Sequence, residues 1–187
     1  MKSSLRVGYN VVMLQLSVSF INKPILSLRS GGEIGKTLGP IINPNNLHIE
    51  GFYCNDRFSK KQLILLSQEI REVIGDGIIV NDHDAMTPEG DLVRLRKIID
   101  INFNILGKKV VTKHRVVLGK VNDYSVNSDN MYIQKMYITQ PIMKSLKGGQ
   151  LSIDRSQIIE ITDKKIVVNN PDVYADNNQP VGAPATA

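Results

Sequence analysis

Leu14, Leu16, Val18 and Phe20 alternate with Gln15, Ser17 and Ser19, the period of a half-buried strand over Leu14–Phe20. Short β-branched or leucine-rich runs follow at Pro24–Leu28, Lys36–Ile42, Leu47–Cys54, Gln62–Leu66 and Gly77–Val80. Ser30-Gly31-Gly32, Asn43-Pro44-Asn45-Asn46 and Gly75-Asp76-Gly77 separate them and read as turns. Ser67–Val73 reads as a helical turn. The period then changes: Leu92, Leu95, Ile98 and Ile99 recur at three- and four-residue spacing, with Arg94, Arg96 and Lys97 on the other side. Thr87 suits an N-cap, Pro88 the first helical position, and Glu89 and Asp91 the positive end of the dipole, so one helix is predicted within 87–100. Strands resume at Lys109–Thr112, Val116–Val121, Tyr124–Val126, Met131–Thr139, Leu151–Ile153 and Lys165–Val168. Turns are expected at Lys113-His114-Arg115 and Arg155-Ser156-Gln157, and a longer loop at Gln140–Gln150.

The second set of strands repeats the first. Gly35-Lys36, Asn43, Asn46, Ile49 and Tyr53 recur 84 residues later as Gly119-Lys120, Asn127, Asn130, Ile133 and Tyr137. After a four-residue slip, Leu63, Leu65, Ile70, Glu72, Ile78, Val80 and Asn81 meet Leu151, Ile153, Ile158, Glu160, Ile166, Val168 and Asn169. A unit this long is a duplicated small domain rather than a solenoid repeat. The expected organisation is a flexible extension (1–12), a first β-domain (13–86), a connecting helix (87–100), a second β-domain (101–170) and a disordered Asn/Pro/Gly/Ala-rich tail (171–187). Domains of roughly 75 residues bury little core, so the copies are expected to lean on each other.

Charge separates the copies. Phe20–Glu89 holds 7 Lys/Arg against 9 Asp/Glu, and Ile101–Asn170 holds 11 against 5. An anionic partner should therefore meet the second copy. Candidate contact residues are Lys108, Lys109, Lys113, His114, Arg115 and Lys120, with Lys144 and Lys147 in the long loop. A solvated face would use the same residues without a partner. Aromatic residues are only 5% of the chain and tryptophan is absent, which argues against a base-stacking surface.

Reactive chemistry is hard to place. The single cysteine, Cys54, excludes an intramolecular disulfide and suits a reducing cytosol; its repeat is Ile138, so it reads as a packing residue. His48, His83 and His114 lack metal-ligand spacing. Asp82-His83-Asp84 fits no EF-hand and reads as a solvated loop. Ser30-Gly31-Gly32-Glu33-Ile34-Gly35-Lys36-Thr37 misses the phosphate-loop spacing by one residue, and Pro40 blocks the helix that must follow. No catalytic, cofactor or metal residue is assigned, and no apolar run is long enough for a membrane span.

Ile105-Leu106-Gly107-Lys108-Lys109-Val110-Val111, followed by Leu118-Gly119-Lys120-Val121-Asn122-Asp123-Tyr124 and the closing Ile158–Val168 stretch, resembles a PRC-barrel domain. The first copy resembles it more loosely through Gly35-Lys36 and the Ile70/Ile78 ending. The resemblance implies an all-β chain of two tandem small PRC-type β-barrels joined by one short helix. PRC barrels occur in RimM-type ribosome maturation factors and photosynthetic reaction-centre H subunits, and their common theme is docking onto larger assemblies. It thus implies a non-enzymatic, cytoplasmic adaptor with a protein partner. The alternative is an RNA- or ribosome-associated maturation factor using the basic second barrel. Exposed strand edges leave dimerisation open.

Overall fold

The computed structural model describes residues 13–140 and 151–169. The expected extension 1–12, tail 171–187 and most of the Gln140–Gln150 loop lie outside them. The described residues form fourteen strands and one short helix. In chain order the strands are β1 (Leu14–Leu16), β2 (Pro24–Ser27), β3 (Glu33–Ile42), β4 (Ile49–Asp56), β5 (Gln62–Leu66), β6 (Ile70–Ile74), β7 (Gly77–Val80) and β8 (Met86–Thr87). After α1 (Arg96–Ile101) come β9 (Lys109–Thr112), β10 (Val117–Asn127), β11 (Tyr132–Thr139), β12 (Leu151–Asp154), β13 (Ile158–Ile161) and β14 (Lys165–Val168).

The protein is all-β in class, with two sheets that are copies of one plan. The first runs β6-β7-β2-β3-β4-β5 with β8 added at its edge, and the second β13-β14-β9-β10-β11-β12, the same order strand for strand apart from β8. In each copy the first strand pairs parallel with the last, β2 with β7 and β9 with β14, and all other neighbours are antiparallel. The outer strands β5 and β6 are joined by a 3-10 turn at Ser67–Glu69, and β12 and β13 by its repeat, Arg155–Gln157. Among the described residues no ladder pairs these outer strands with each other, so neither sheet closes on itself.

Small polar details repeat as well. Asn43 Oδ1 accepts the Asn45 amide and Asn46 Oδ1 the His48 amide; Asn127 and Asn130 do the same for Asp129 and Tyr132. Each turn then places a buried apolar residue in the left-handed region, Leu47 at φ 59° and Met131 at φ 56°. Such a conformation costs a bulky residue about 1–2 kcal/mol, so something must hold it.

What holds it is the other copy. The Ile49 amide donates to Met131 O and the Ile133 amide to Leu47 O, at 2.8 and 3.0 Å. Between them His48 and Tyr132, which are repeats of each other, form an antiparallel bridge with ring centroids 4.8 Å apart. Residues on a two-fold axis meet their own copies, the geometry of an isologous dimer built within one chain. One hydrophobic cluster runs across this seam, from Phe20, Ile49 and Phe52 to Val126, Ile133 and Met136, and Phe20 stacks on Phe52 at 5.5 Å.

Each copy also sends its leading segment to the other. β1 pairs with β10 in the second sheet, Leu14 opposite Asn127 and Leu16 opposite Ser125. In return α1 packs on the first sheet, Ile99 meeting Ile41 and Ile64. Here the structure corrects three expectations. The strand predicted over Leu14–Phe20 stops at Leu16 and becomes a 3-10 turn at Ser17–Phe20, which buries Phe20. The predicted helix beginning at Thr87 does not start there: Met86–Thr87 pairs with β5, Glu89–Asp91 is a 3-10 turn, and helix begins only at Arg96. Edge pairing of Met86 and Thr87 takes precedence over their capping chemistry. Ser67–Val73, read as a helical turn, is helical only to Glu69 and continues as β6.

Candidate functional site

Among the described residues the candidate cations of the second copy fall into three separate groups. Lys108 does not project freely: its Nζ donates to Asp163 O at 2.6 Å and lies 4.7 Å from the Phe103 ring centroid. The first copy does the same with Lys23, whose Nζ reaches Gly75 O at 2.9 Å. Lys108 is therefore a repeated fastening between strands, on geometry alone. Lys113, His114 and Arg115 form the turn after β9, all exposed, with Arg115 at φ 65°. Lys144 and Lys147 lie outside the described residues.

Lys109 and Lys120 make the third group, and the fold adds a member the sequence reading omits. β9 pairs Lys109 with Lys120 on β10, and on its other side with Lys165 on β14. Directly paired residues share a face of the sheet and neighbouring strands lie about 4.8 Å apart. Three exposed lysines thus cross three adjacent strands within roughly 10 Å of one another. None ion-pairs with a carboxylate among the described residues. In the first copy the same row reads Gly77, Pro24, Lys36. Like charges directly opposite weaken a sheet, so the row carries a local cost that packing does not require.

Beside the row lies a depression of about 660 Å³. Gly107, Val117, Gly119 and Val121 contribute to its wall, Lys109 and Lys120 flank it, and among the described residues no aromatic ring lines it. Gly119 is there because no side chain fits: a Cβ would stand 2.1 Å from Thr139 O, the residue opposite Lys120 on β11. The Gly-Lys pair of the repeat is thus a close strand approach followed by an outward cation.

Elsewhere the reactive-looking groups are internally satisfied. Cys54 is buried, its thiol donates to Phe52 O at 3.2 Å, and burial pushes its pKa up to about 12, which removes the thiolate needed for nucleophilic chemistry. In the Asp82-His83-Asp84 loop, Asp82 pairs with Arg29 at 2.7 Å and His83 Nε2 donates to Asp56 Oδ1 at 2.9 Å. Among the described residues no group of three or more His, Cys, Asp or Glu is placed to hold a metal, and no helix is long and apolar enough to cross a membrane. No family model and no curated protein matches the chain.

Proposed function

We propose that the chain is a non-enzymatic docking adaptor whose second half binds an acidic surface of a larger protein assembly. The observation that supports this most is the in-register row Lys165–Lys109–Lys120, present in one copy and absent from the other. Each copy is read as a PRC-type module of the open kind, its sheet unclosed among the described residues, and the adaptor works in the reducing cytosol to which its buried thiol is suited. The apolar depression beside Lys109 and Lys120 gives the partner something to bury, with the lysines as a charged rim. Protein is favoured over RNA because, among the described residues, the wall is apolar and offers no ring on which a base could stack.

Retention of the full chain on immobilised poly-L-glutamate and on immobilised poly(U), across rising salt, tests this. Wild type should hold to poly-L-glutamate and elute as salt shortens the Debye length. Replacing Lys109, Lys120 and Lys165 together by alanine should weaken retention by about three- to a hundredfold, since each exposed pair contributes about 0.2–1 kcal/mol. Lys113→Ala with Arg115→Ala should have a far smaller effect. Equal loss from the turn variant would move the site to the turn. Retention by poly(U) alone would replace the adaptor with the RNA-associated reading.

A further inference from the structure

Two grooves flank the seam between the copies, and the repeat relates them. The smaller, about 340 Å³, is lined by Asn46, Leu47 and Arg155; there the Arg155 guanidinium lies 4.2 Å from the Tyr132 ring centroid. The larger, about 830 Å³, is lined by Asn130, Met131, Ser67 and His48. The offsets of 84 and 88 residues carry Asn46, Leu47, Ser67 and His48 onto Asn130, Met131, Arg155 and Tyr132. The same site is therefore built twice. In one copy the chain's own arginine fills it, and in the other a serine stands where that arginine is rooted.

The charges differ in the complementary sense. The large groove presents the carboxylates of Glu50, Asp91 and Asp129. The repeats of Glu50 and Asp129 are Gln134 and Asn45, both neutral. At these two positions the groove that holds the guanidinium is neutral, although Glu160 lines it further along, and the open groove is acidic. Glu50 is held in place, Oε1 accepting from Asn43 Nδ2 at 2.8 Å and Oε2 lying 3.2 Å from His48 Nδ1, and each oxygen keeps capacity for a further donor. Arg94 on the connector also lines the groove, and it makes no ion pair among the described residues. Leu92, Leu95 and Ile98 complete an apolar wall, suited to the methylene stem of a long cationic side chain.

We propose that the large groove is a receptor for a guanidinium from outside, the arginine side chain of an extended segment of a partner protein. It seats over His48 as Arg155 seats over Tyr132, its fork toward Glu50 and Asp129 and its stem along Leu92 and Leu95. Lysine is a poorer substitute, because an ammonium has no plane to lie flat on a ring and cannot present two parallel donors to a carboxylate. This site lies apart from the lysine row and does not depend on it.

Titration of the isotope-labelled full chain with the peptide acetyl-Ala-Arg-Ala-amide, followed by amide chemical shifts, tests the proposal. The expected result is saturable shifts at His48, Ser67, Asn130 and Met131, at least tenfold weaker with the lysine peptide. Glu50→Gln with Asp129→Asn, which installs the second copy's own residue types, should weaken binding at least tenfold. Ser67→Arg should abolish it by filling the groove from within. Agmatine binding as tightly as the peptide would overturn the peptide source in favour of a free guanidinium compound. Absence of saturable shifts in the wild type, or unchanged binding by the Glu50/Asp129 double variant, would overturn the site.

Discussion

Gly119→Ala is expected to cost about 4 kcal/mol, a large part of the 5–15 kcal/mol that holds a typical domain together. Two penalties combine. Gly119 sits at φ 152°, where an L side chain is strained by about 1–3 kcal/mol. An added Cβ would also stand 2.1 Å from Thr139 O and 2.9 Å from Ile138 Cγ2. The carbonyl belongs to the neighbouring strand, so it can move only by disturbing the β10–β11 ladder, and overpacking of this kind costs about 1–3 kcal/mol more. Gly35, its repeat, meets Asn55 O at 2.6 Å and should cost about 2 kcal/mol through the second term alone. Gly39 has nothing within 4 Å of its would-be Cβ, so Gly39→Ala should be nearly neutral. Urea midpoints of the three variants check the order, and a Gly119→Ala cost no greater than that of Gly39→Ala would remove the close-approach argument.

The next largest effect is expected at Asp56, a carboxylate only 2% exposed at the end of β4. Burial alone would raise its pKa. Hydrogen bonds from Ser59 Oγ, His83 Nε2 and the Ser59 and Phe58 amides outweigh burial and hold it well below the usual carboxylate range. The folded state thus binds this proton more weakly than the unfolded chain, whose carboxyl titrates near 3.9. Its stabilisation is complete above about pH 4 and is lost as pH falls through the lower folded value. Asp56→Ala should cost about 3 kcal/mol at neutral pH, as donors to a charged acceptor lose their partner. Asp56→Asn should cost less and flatten the acid limb of stability between about pH 4 and pH 2. Chemical denaturation of wild type and Asp56→Asn across that range measures it, and identical acid limbs would mean that this carboxylate does not control them.

Much of the fold is legible in the residues. Gln62–Leu66, Gly77–Val80, Lys109–Thr112 and Lys165–Val168 are strands with the boundaries their composition predicts, because each is a short apolar or β-branched run bounded by turn residues. The Asn-x-x-Asn spacing marks two turns whose side chains cap the backbone as Asx turns do. Pairing partners are another matter. The alternation at Leu14–Leu16 announces a strand, yet nothing local says that its partner is Asn127 in the other copy. Thr87 and Pro88 carry good helix-start chemistry, and only the long-range pairing of Ile64 with Thr87 explains why it goes unused.

The candidate site divides the same way. Lys109 and Lys120 are visible as a charge surplus, but Lys165 joins them only through the parallel β14–β9 pairing, 56 residues apart in sequence. Lys108 looks like part of the patch and is a strand fastening, which its repeat Lys23 could have signalled. The sharper signal is the repeat itself, read for differences: Pro24 against Lys109, Gly77 against Lys165, and Ser67 against Arg155. Shared positions build the scaffold, and the departures fall on the lysine row and on the open groove.

The two copies form one folded unit about an internal two-fold axis, which leaves their differences free to carry function. Native-state hydrogen exchange at the Ile49 and Ile133 amides tests this most directly, because these donors bond only across the seam, to Met131 O and Leu47 O. Both are expected to exchange through global unfolding, with the same free energy as the core amide of Val110 and the same dependence on denaturant. Exchange of both amides within minutes, while Val110 stays protected, would show two separately stable copies that merely touch, and would contradict a single folded unit.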